Sequence, residues 1–125
     1  MTEHVTLVVL TGGLEGLEFV LDEHRQYIIG RATDCDIRLP RDLGPRDVSR
    51  HHCLLDLTSD GILVVDLGSL HGTFVNGDLI CKRPSHYSAE QADEGDSSVR
   101  SLSDGDRLVV GNAILRVVVN TLQPA

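Results

Sequence analysis

The sequence predicts an all-β sandwich, and three observations lead to this fold class. Short apolar runs rich in Val, Leu and Ile recur along the chain, and Gly, Asp, Asn and Pro interrupt them. Closely spaced short strands joined by such turn residues are typical of β-sandwiches and β-barrels. No window places apolar residues at i, i+3, i+4 and i+7 for even three turns, so the pattern does not favour helices.

The predicted strands follow the apolar runs in chain order. Asn76-Gly77 and Gly111-Asn112 predict tight hairpins, because such turns need residues that tolerate a positive φ. Gly12-Gly13 predicts a turn between the first two strands. The runs cover residues 5–10, 17–21, 27–30, 37–39, 51–57, 62–67, 73–75, 107–110 and 113–119.

The length of 125 residues predicts one domain, residues 1–125, with its core over about residues 5–119. Two stretches do not have the pattern of strands. Residues 33–48 are charged and predict a loop around the short strand at 37–39. Residues 82–103 are polar and acidic, and a loop of that length is unusual inside a compact domain. We therefore expect residues 82–103 to be a mobile insertion loop between late strands of one sandwich.

The composition excludes several classes of protein. The formal net charge is −8, from 19 acidic and 11 basic residues, which is unlike the basic surface of nucleic-acid-binding domains. No apolar run approaches the roughly 18 residues of a membrane span. The three cysteines, an odd number without a C-x-x-C pair, fit neither a disulfide framework nor a zinc ribbon. We expect a cytoplasmic protein with reduced thiols, and neither nucleic acid nor a membrane as its partner.

The positive charge is concentrated in one segment. Residues 25–50 contain six arginines and four aspartates, a local net charge of +2, whereas the rest of the chain carries −10. Such a cluster is often only a solvated surface. Its functional interpretation is an anion site, because the guanidinium fork binds phosphate with two parallel hydrogen bonds.

Five motifs follow one another in an informative order. The chain contains Gly30-Arg31, then CDIRLP at 35–40, VSRHH at 48–52, VDLGSLHGTFVNG at 65–77, and finally LSDGDRLVVG at 102–111. Together they resemble the forkhead-associated (FHA) domain, and the resemblance extends over about residues 5–119. It implies a β-sandwich of about eleven strands with binding loops at one end. It also implies phosphothreonine-containing peptides as the ligand.

The resemblance implies roles for three polar residues. Arg31 is similar to the family arginine that contacts the peptide and the phosphate, and Ser49 to the serine whose hydroxyl bonds a phosphate oxygen. Arg50 matches a position that often adds a second phosphate contact. A phosphothreonine carries about −1.5 to −2 charge and three strong acceptor oxygens. Arginines and a hydroxyl are donors suited to such a group.

Four further matches are implied to be structural. Gly30 and His52 match the structural glycine and histidine of the family, and His52 would tie the binding loops to the scaffold without contacting the ligand. Gly72 matches a motif glycine, and Asn76 matches the second asparagine of the late loop, which is also mainly structural.

The sequence departs from the family pattern at His71. The family normally has asparagine there, directly before Gly72, and that side chain contacts the backbone of the bound peptide. The neighbouring Leu70 replaces what is often a polar or small residue. We expect Leu70 and His71 to take part in peptide binding, with a weaker hold on the peptide backbone than asparagine provides.

Other chemistries are disfavoured by the residues themselves. Ser49 and His52 lack the nucleophile elbow and the orienting acid of a hydrolase. His51, Cys53 and the distant Cys35 offer too few ligands for a structural zinc site. In a strand over residues 51–53, His51 and Cys53 would share one face and His52 the other. No phosphate-binding loop motif of nucleotide-binding proteins is present. We expect no catalytic residues, no metal and no cofactor.

We therefore interpret the chain as a phosphothreonine-peptide-binding module of signalling or adaptor type, not an enzyme. Its expected partner is a phosphothreonine-containing protein, with a Ser/Thr kinase or a kinase substrate as the candidate. The alternative is a phosphate-independent protein-interaction or dimerisation module of the same fold, which the departure at His71 keeps open. Phosphate dependence of peptide binding distinguishes these two functions.

Overall fold

The computed structural model describes residues 3–40, 42, 44, 46–80 and 99–121, and these residues form eleven strands. No α-helix occurs among the described residues, and the all-β prediction is confirmed. The strands are β1 Glu3–Thr11, β2 Glu18–Leu21, β3 Gln26–Gly30, β4 Ile37–Arg38, β5 Cys53–Thr58, β6 Gly61–Asp66, β7 Thr73–Val75, β8 Asp78–Ile80, β9 Val99–Leu102, β10 Arg107–Val110 and β11 Ala113–Thr121.

The strands are arranged in two sheets. One sheet has six strands in the order β2-β1-β11-β10-β7-β8, and the other has five in the order β4-β3-β5-β6-β9. β3 and β4 pair in parallel. β5 pairs antiparallel with β3 and β6, and β11 pairs antiparallel with β1 and β10. A register shift between Val9 and Thr11 marks a bulge where the end of β1 pairs with the start of β11. β-bulges bend and twist a strand locally.

The core follows the two-residue period of the strands. In β1, Val5, Leu7 and Val9 are buried, and in the opposite sheet Leu55 of β5 and Val64 of β6 are fully buried. Because successive side chains of a strand point to opposite faces, one face of each sheet is apolar. The two apolar faces pack together as in other β-sandwiches. Val, Leu and Ile supply most of this core, as expected from an aromatic content of 3%.

Both predicted hairpins are confirmed. Asn76-Gly77 joins β7 to β8, with φ of 52° and 90°, so both residues of the turn are left-handed. Gly111, with φ of 61°, begins the turn from β10 to β11. These turns match the twist of the paired strands.

The structure differs from the predicted strands in three places. The loop predicted over residues 82–103 ends earlier, because Val99–Leu102 forms β9 and pairs with β6 in the register Ile62↔Leu102. The sequence did not predict β9, because its exposed positions are polar. Its pairing with β6 joins residues that are distant in the sequence and has no local signal. β8, Asp78–Ile80, is absent from the predicted strands, and β5 begins at Cys53 rather than at residue 51. Residues 82–98 of the predicted loop lie outside the described residues.

Several connections meet at one end of the sandwich. The backbone amides of Arg31 and Ala32 donate to the carbonyls of Ser49 and Arg50, at 3.1 and 3.2 Å, so the connection after β3 is bound to the segment before β5. The amide of Asn112 donates to the carbonyl of Arg46 at 2.9 Å, which joins the β10–β11 turn to the same segment. Loops held by a rigid sheet scaffold are a common location for binding residues.

Candidate functional site

An open cavity of about 260 Å³ lies at this end of the sandwich. Four of the residues singled out in the sequence, Arg31, Ser49, Leu70 and His71, contribute to its wall. They come from three separate connections of the chain, after β3, before β5 and between β6 and β7. Among the described residues, the lining consists of Arg31, Arg46, Asp47, Val48, Ser49, Leu70 and His71.

The guanidinium group of Arg31 is fixed through its Nε atom, and Arg31 contributes to the cavity wall. Its Nε donates to the carbonyl of Val48 at 3.1 Å, and its backbone amide donates to the carbonyl of Ser49. No described residue accepts a hydrogen bond from its two terminal nitrogens. A guanidinium has five N–H donors, so the fork can still donate to a ligand while the Nε contact limits its rotation.

The hydroxyl of Ser49 is oriented by the opposite wall of the cavity. Its Oγ accepts from the backbone amide of Leu70 at 3.1 Å, across the two connections. Since a serine hydroxyl has one donor and two acceptor sites, this contact leaves the O–H proton available. No described residue accepts it. Arg31 and Ser49 therefore present unused donors to the same space.

Gly30 permits the close approach of the two connections. A Cβ built on Gly30 would lie 2.0 Å from the carbonyl oxygen of Arg50 and 2.9 Å from Sγ of Cys35. No side chain tolerates such distances without a backbone shift. The glycine at the end of β3 is therefore needed for the hydrogen bonds that fix Arg31 beside Ser49.

His52 joins both sides of the site from inside the protein. Its Nδ1 accepts from the backbone amide of Ser49 at 3.0 Å, and its Nε2 donates to the carbonyl of Gly72 at 2.8 Å. The ring is fully buried, and this burial lowers the pKa of His52, while the bond to Gly72 raises it by a smaller amount. A ring that accepts at one nitrogen and donates at the other is neutral. Since both ring nitrogens are occupied, His52 is not a base for the Ser49 hydroxyl.

Asp66 shapes the connection that carries Leu70 and His71, and sequence reasoning missed it. Its buried carboxylate accepts from the amides of Gly68 and Ser69, at 3.1 and 3.2 Å. It also accepts from the hydroxyls of Ser69 and Thr73. Its position at the end of a strand, three residues before a serine, is an Asx-turn signal that was available in the sequence.

Arg46 and Asp47 are also cavity residues that sequence reasoning did not single out. Asp47 has a φ of 64°, which is uncommon outside glycine. A Cβ on Gly111 would lie 2.2 Å from the carbonyl oxygen of Arg46. The glycine of the β10–β11 turn thus makes room for this segment, and the Asn112 side chain accepts from the Arg46 amide.

His71 lies close to an acidic neighbour. Its Nε2 is 3.7 Å from Oδ1 of Asp47, and both side chains are more than half exposed. Such an exposed pair contributes little to stability, because water screens it. Leu70, beside it, is 83% exposed, which is unusual for a large apolar side chain.

Two predicted residues lie apart from the cavity. The exposed Arg50 side chain does not line it, although the Arg50 carbonyl accepts from the Ala32 amide and from Sγ of Cys35. Asn76 sits in the β7–β8 turn, where its side chain donates to Asp106 and accepts from the amide of Arg107. Asn76 therefore joins that turn to the start of β10.

The faces expected for residues 51–53 are wrong. His51 is exposed, whereas His52 and Cys53 are both buried, because β5 begins only at Cys53 and the two residues before it form a turn. Cys53 therefore does not approach His51 as a metal ligand. Burial, aided by Asp66, raises the pKa of the Cys53 thiol above its ordinary range.

Among the described residues, no helix has the length and apolar character needed to cross a bilayer.

Comparison with known proteins gives three kinds of similarity. The family model for the FHA domain matches residues 27–111. The ABC transporter ATP-binding/permease protein Rv1747 of Mycobacterium tuberculosis (strain ATCC 25618 / H37Rv) is 36% identical over 94 residues, which are 75% of this chain and 8% of the transporter. This chain thus corresponds to less than a tenth of that relative's length.

Solved FHA domains have the same fold. One, from work on phosphothreonine-dependent FHA domain interactions, is 28% identical with a TM-score of 0.71, covering 95% of this chain and 99% of that one. The FhaA FHA domain, complexed with the intracellular domain of Rv3910, is 28% identical with a TM-score of 0.67, covering 90% and 98%. The FHA domain of CT664 from Chlamydia trachomatis is 27% identical with a TM-score of 0.70, covering 92% and 96%.

The buried His52 makes stability depend on pH. Its pKa is lowered in the folded protein, while the unfolded chain titrates near the ordinary value of about 6.5. The contribution of His52 to the free energy of unfolding is therefore present above about pH 6.5 and is lost as the pH falls below that value. We expect His52→Ala to reduce the free energy of unfolding by roughly 1–3 kcal/mol at neutral pH. The deficit should shrink by about pH 5.5. Urea unfolding at both pH values tests this, with the exposed His24→Ala as control; a deficit that is the same at both pH values would contradict it.

The Asp66 carboxylate should be essential for the β6–β7 connection. Asp66→Ala leaves several buried donors without their acceptor, so we expect a loss of roughly 3–5 kcal/mol, as for other broken buried charge contacts. Asp56 of β5 is the matched control, because its side chain is only partly buried. Thermal unfolding of both variants measures the difference. Similar melting temperatures for the two would show that the Asp66 contacts are not needed.

Proposed function

Because this chain belongs to the forkhead-associated (FHA) domain family, we propose that it binds protein segments that carry phosphothreonine. The FHA domain is a binding module rather than an enzyme. The observation that supports this ligand most directly is the convergence of Arg31 and Ser49 on one cavity, each with donors unused by the described part of the protein.

The available donors suit a phosphate dianion. The Arg31 fork offers parallel N–H groups that match two phosphate oxygens, and the Ser49 hydroxyl offers one more donor. Both groups are held by backbone contacts before a ligand arrives. Less conformational entropy is then lost on binding, which favours affinity. Arg46, on the same cavity, adds a second positive charge.

Arg50 has a secondary place in this proposal. Its exposed side chain follows Ser49 directly but does not line the cavity. We assign it to the phosphate contact at the edge of the site, where solvent weakens charge interactions. Replacing Arg50 should therefore weaken binding less than replacing Arg31.

Leu70 and His71 are proposed to contact the peptide on either side of the phosphothreonine. Leu70 is exposed beside the cavity and offers an apolar contact, while its amide stays bonded to Ser49. Gly30, His52, Gly72 and Asn76 act through the scaffold in this proposal.

We further propose one domain over residues 1–125, acting in the cytoplasm on a phosphothreonine-containing partner such as a Ser/Thr kinase or its substrate. Cys35 and Cys53 form no disulfide, which suits a reducing compartment. The rival function is phosphate-independent association through the same loops.

Phosphate dependence tests the proposal directly. A phosphothreonine peptide library and its unphosphorylated counterpart are passed over the immobilised protein, and retained peptides are identified. Recovery of phosphopeptides alone supports the proposal. Equal recovery of both forms would favour phosphate-independent association.

Arg31→Ala should abolish most of the phosphopeptide affinity. A charge-assisted hydrogen bond contributes about 1.5–3 kcal/mol, so we expect a loss of roughly tenfold or more. Arg116→Ala is the matched control, because Arg116 lies exposed on β11 and outside the cavity. Isothermal titration with one phosphopeptide measures both variants, and circular dichroism verifies their folds. Unchanged affinity in folded Arg31→Ala protein would refute the assignment.

His71→Asn should strengthen peptide binding. Asparagine presents a donor and an acceptor side by side, whereas the imidazole has them on opposite sides of the ring. One regained hydrogen bond corresponds to about 0.5–1.5 kcal/mol, or up to about tenfold in affinity. His71→Ala separates this effect from simple removal of the ring and its Asp47 contact. If alanine improves affinity as much as asparagine, the paired contact is not the cause.

A further inference from the structure

A second group of polar side chains lies beside the cavity without lining it. The ligand-type atoms of Asp34, Cys35 and His51 all lie within 4.8 Å of one another. None of the three residues belongs to the cavity wall. The sequence predicted no metal site, because His51, Cys53 and Cys35 were too few ligands. Asp34, which sequence reasoning missed, supplies the third ligand atom beside Cys35 and His51.

Backbone contacts fix the two segments that supply the group. The amide of Ala32 donates to the carbonyl of Arg50, and the amide of Cys35 donates to the carbonyl of Ala32 at 3.1 Å, which closes a turn. The amide of His52 donates to the carbonyl of Ile29 at 2.8 Å. These bonds place residues 34–35 next to residue 51 on a scaffold that also holds the cavity.

The side chains are oriented toward one another. His51 Nε2 lies 2.9 and 3.0 Å from the two carboxylate oxygens of Asp34. The Cys35 thiol donates to the carbonyl oxygen of Arg50 at 3.1 Å, directly before His51 in the chain. Both Asp34 and His51 are exposed and Cys35 is half-buried, so solvent and ions have access to the group.

We propose that Asp34, Cys35 and His51 form a binding site for a zinc-type divalent metal ion. A thiolate, an imidazole and a carboxylate are the three donor types that zinc prefers in proteins. The thiolate and imidazole select against Mg²⁺ and Ca²⁺, which bind through oxygen ligands. Water completes the tetrahedral coordination on the exposed side. The metal displaces the thiol proton, which passes to solvent. His51 binds as a neutral imidazole through Nε2, with its ring proton on Nδ1, and Asp34 binds as a carboxylate.

Cobalt(II) is the probe, because it takes up zinc sites and absorbs light through its thiolate bond. All proteins carry Cys81→Ser, so that Cys35 and the fully buried Cys53 are the remaining thiols. We expect one equivalent of cobalt to give a thiolate-to-cobalt charge-transfer band that zinc removes and that excess magnesium leaves unchanged. Cys35→Ser should abolish the band.

The other two ligands are tested separately. His51→Gln and Asp34→Asn should each lower the cobalt affinity at least roughly tenfold, because even the loss of a group that only orients a metal ligand typically lowers affinity about 10–100-fold. Asp60→Asn, an exposed aspartate in the turn after β5 and at the other end of that strand, is the matched control and should not change it. Circular dichroism shows whether each variant is folded. Absence of the band in the parent protein, or a band that persists unchanged in folded His51→Gln and Asp34→Asn, would overturn the proposal.

Discussion

The neutral imidazole of His52 is the contact on which the geometry of the site depends. It accepts from the Ser49 amide and donates to the Gly72 carbonyl, and thereby links the segment before β5 to the β6–β7 connection. A charged ring could not accept from Ser49, so burial, which keeps the ring neutral, also preserves this link. The ring is remote from solvent and acts on the ligand only through the backbone that it positions.

Buried polar groups and surface hydrogen-bond donors have different roles in this domain. His52 and Asp66 lie inside, where each hydrogen bond gains strength from the low local dielectric and each unpaired group would be destabilising. The described residues contain no buried side-chain nitrogen or oxygen without a partner. Arg31 and Ser49 instead keep donors free at the surface. The interior thus holds the segment before β5 and the β6–β7 connection in place, so that Ser49 faces the same cavity as Arg31 from the connection after β3.

Glycines set how closely these connections approach. Gly30 allows the carbonyl of Arg50 to lie where a Cβ would be, and Gly111 does the same for the carbonyl of Arg46. Both are contacts between parts of the chain that are distant in sequence. The segment before β5 includes Asp47 in a left-handed conformation. Hydrogen bonds between Arg46 and Asn112 hold this segment against the β10–β11 turn.

The amino-acid sequence by itself determined the features with local causes. Short apolar runs between turn residues predicted most strands, Asn76-Gly77 and Gly111-Asn112 predicted their hairpins, and the motif order predicted the family. Only the tertiary structure showed that Arg46 and Asp47 join the cavity, that Arg50 lies outside it, that residues 99–102 pair with β6, and that Asp34 and Cys35 meet His51. The physical reason is how far apart along the chain the interacting residues lie. A turn or a short apolar strand follows from the preferences of adjacent residues, whereas these arrangements arise from hydrogen bonds and close approaches between segments that only folding brings together.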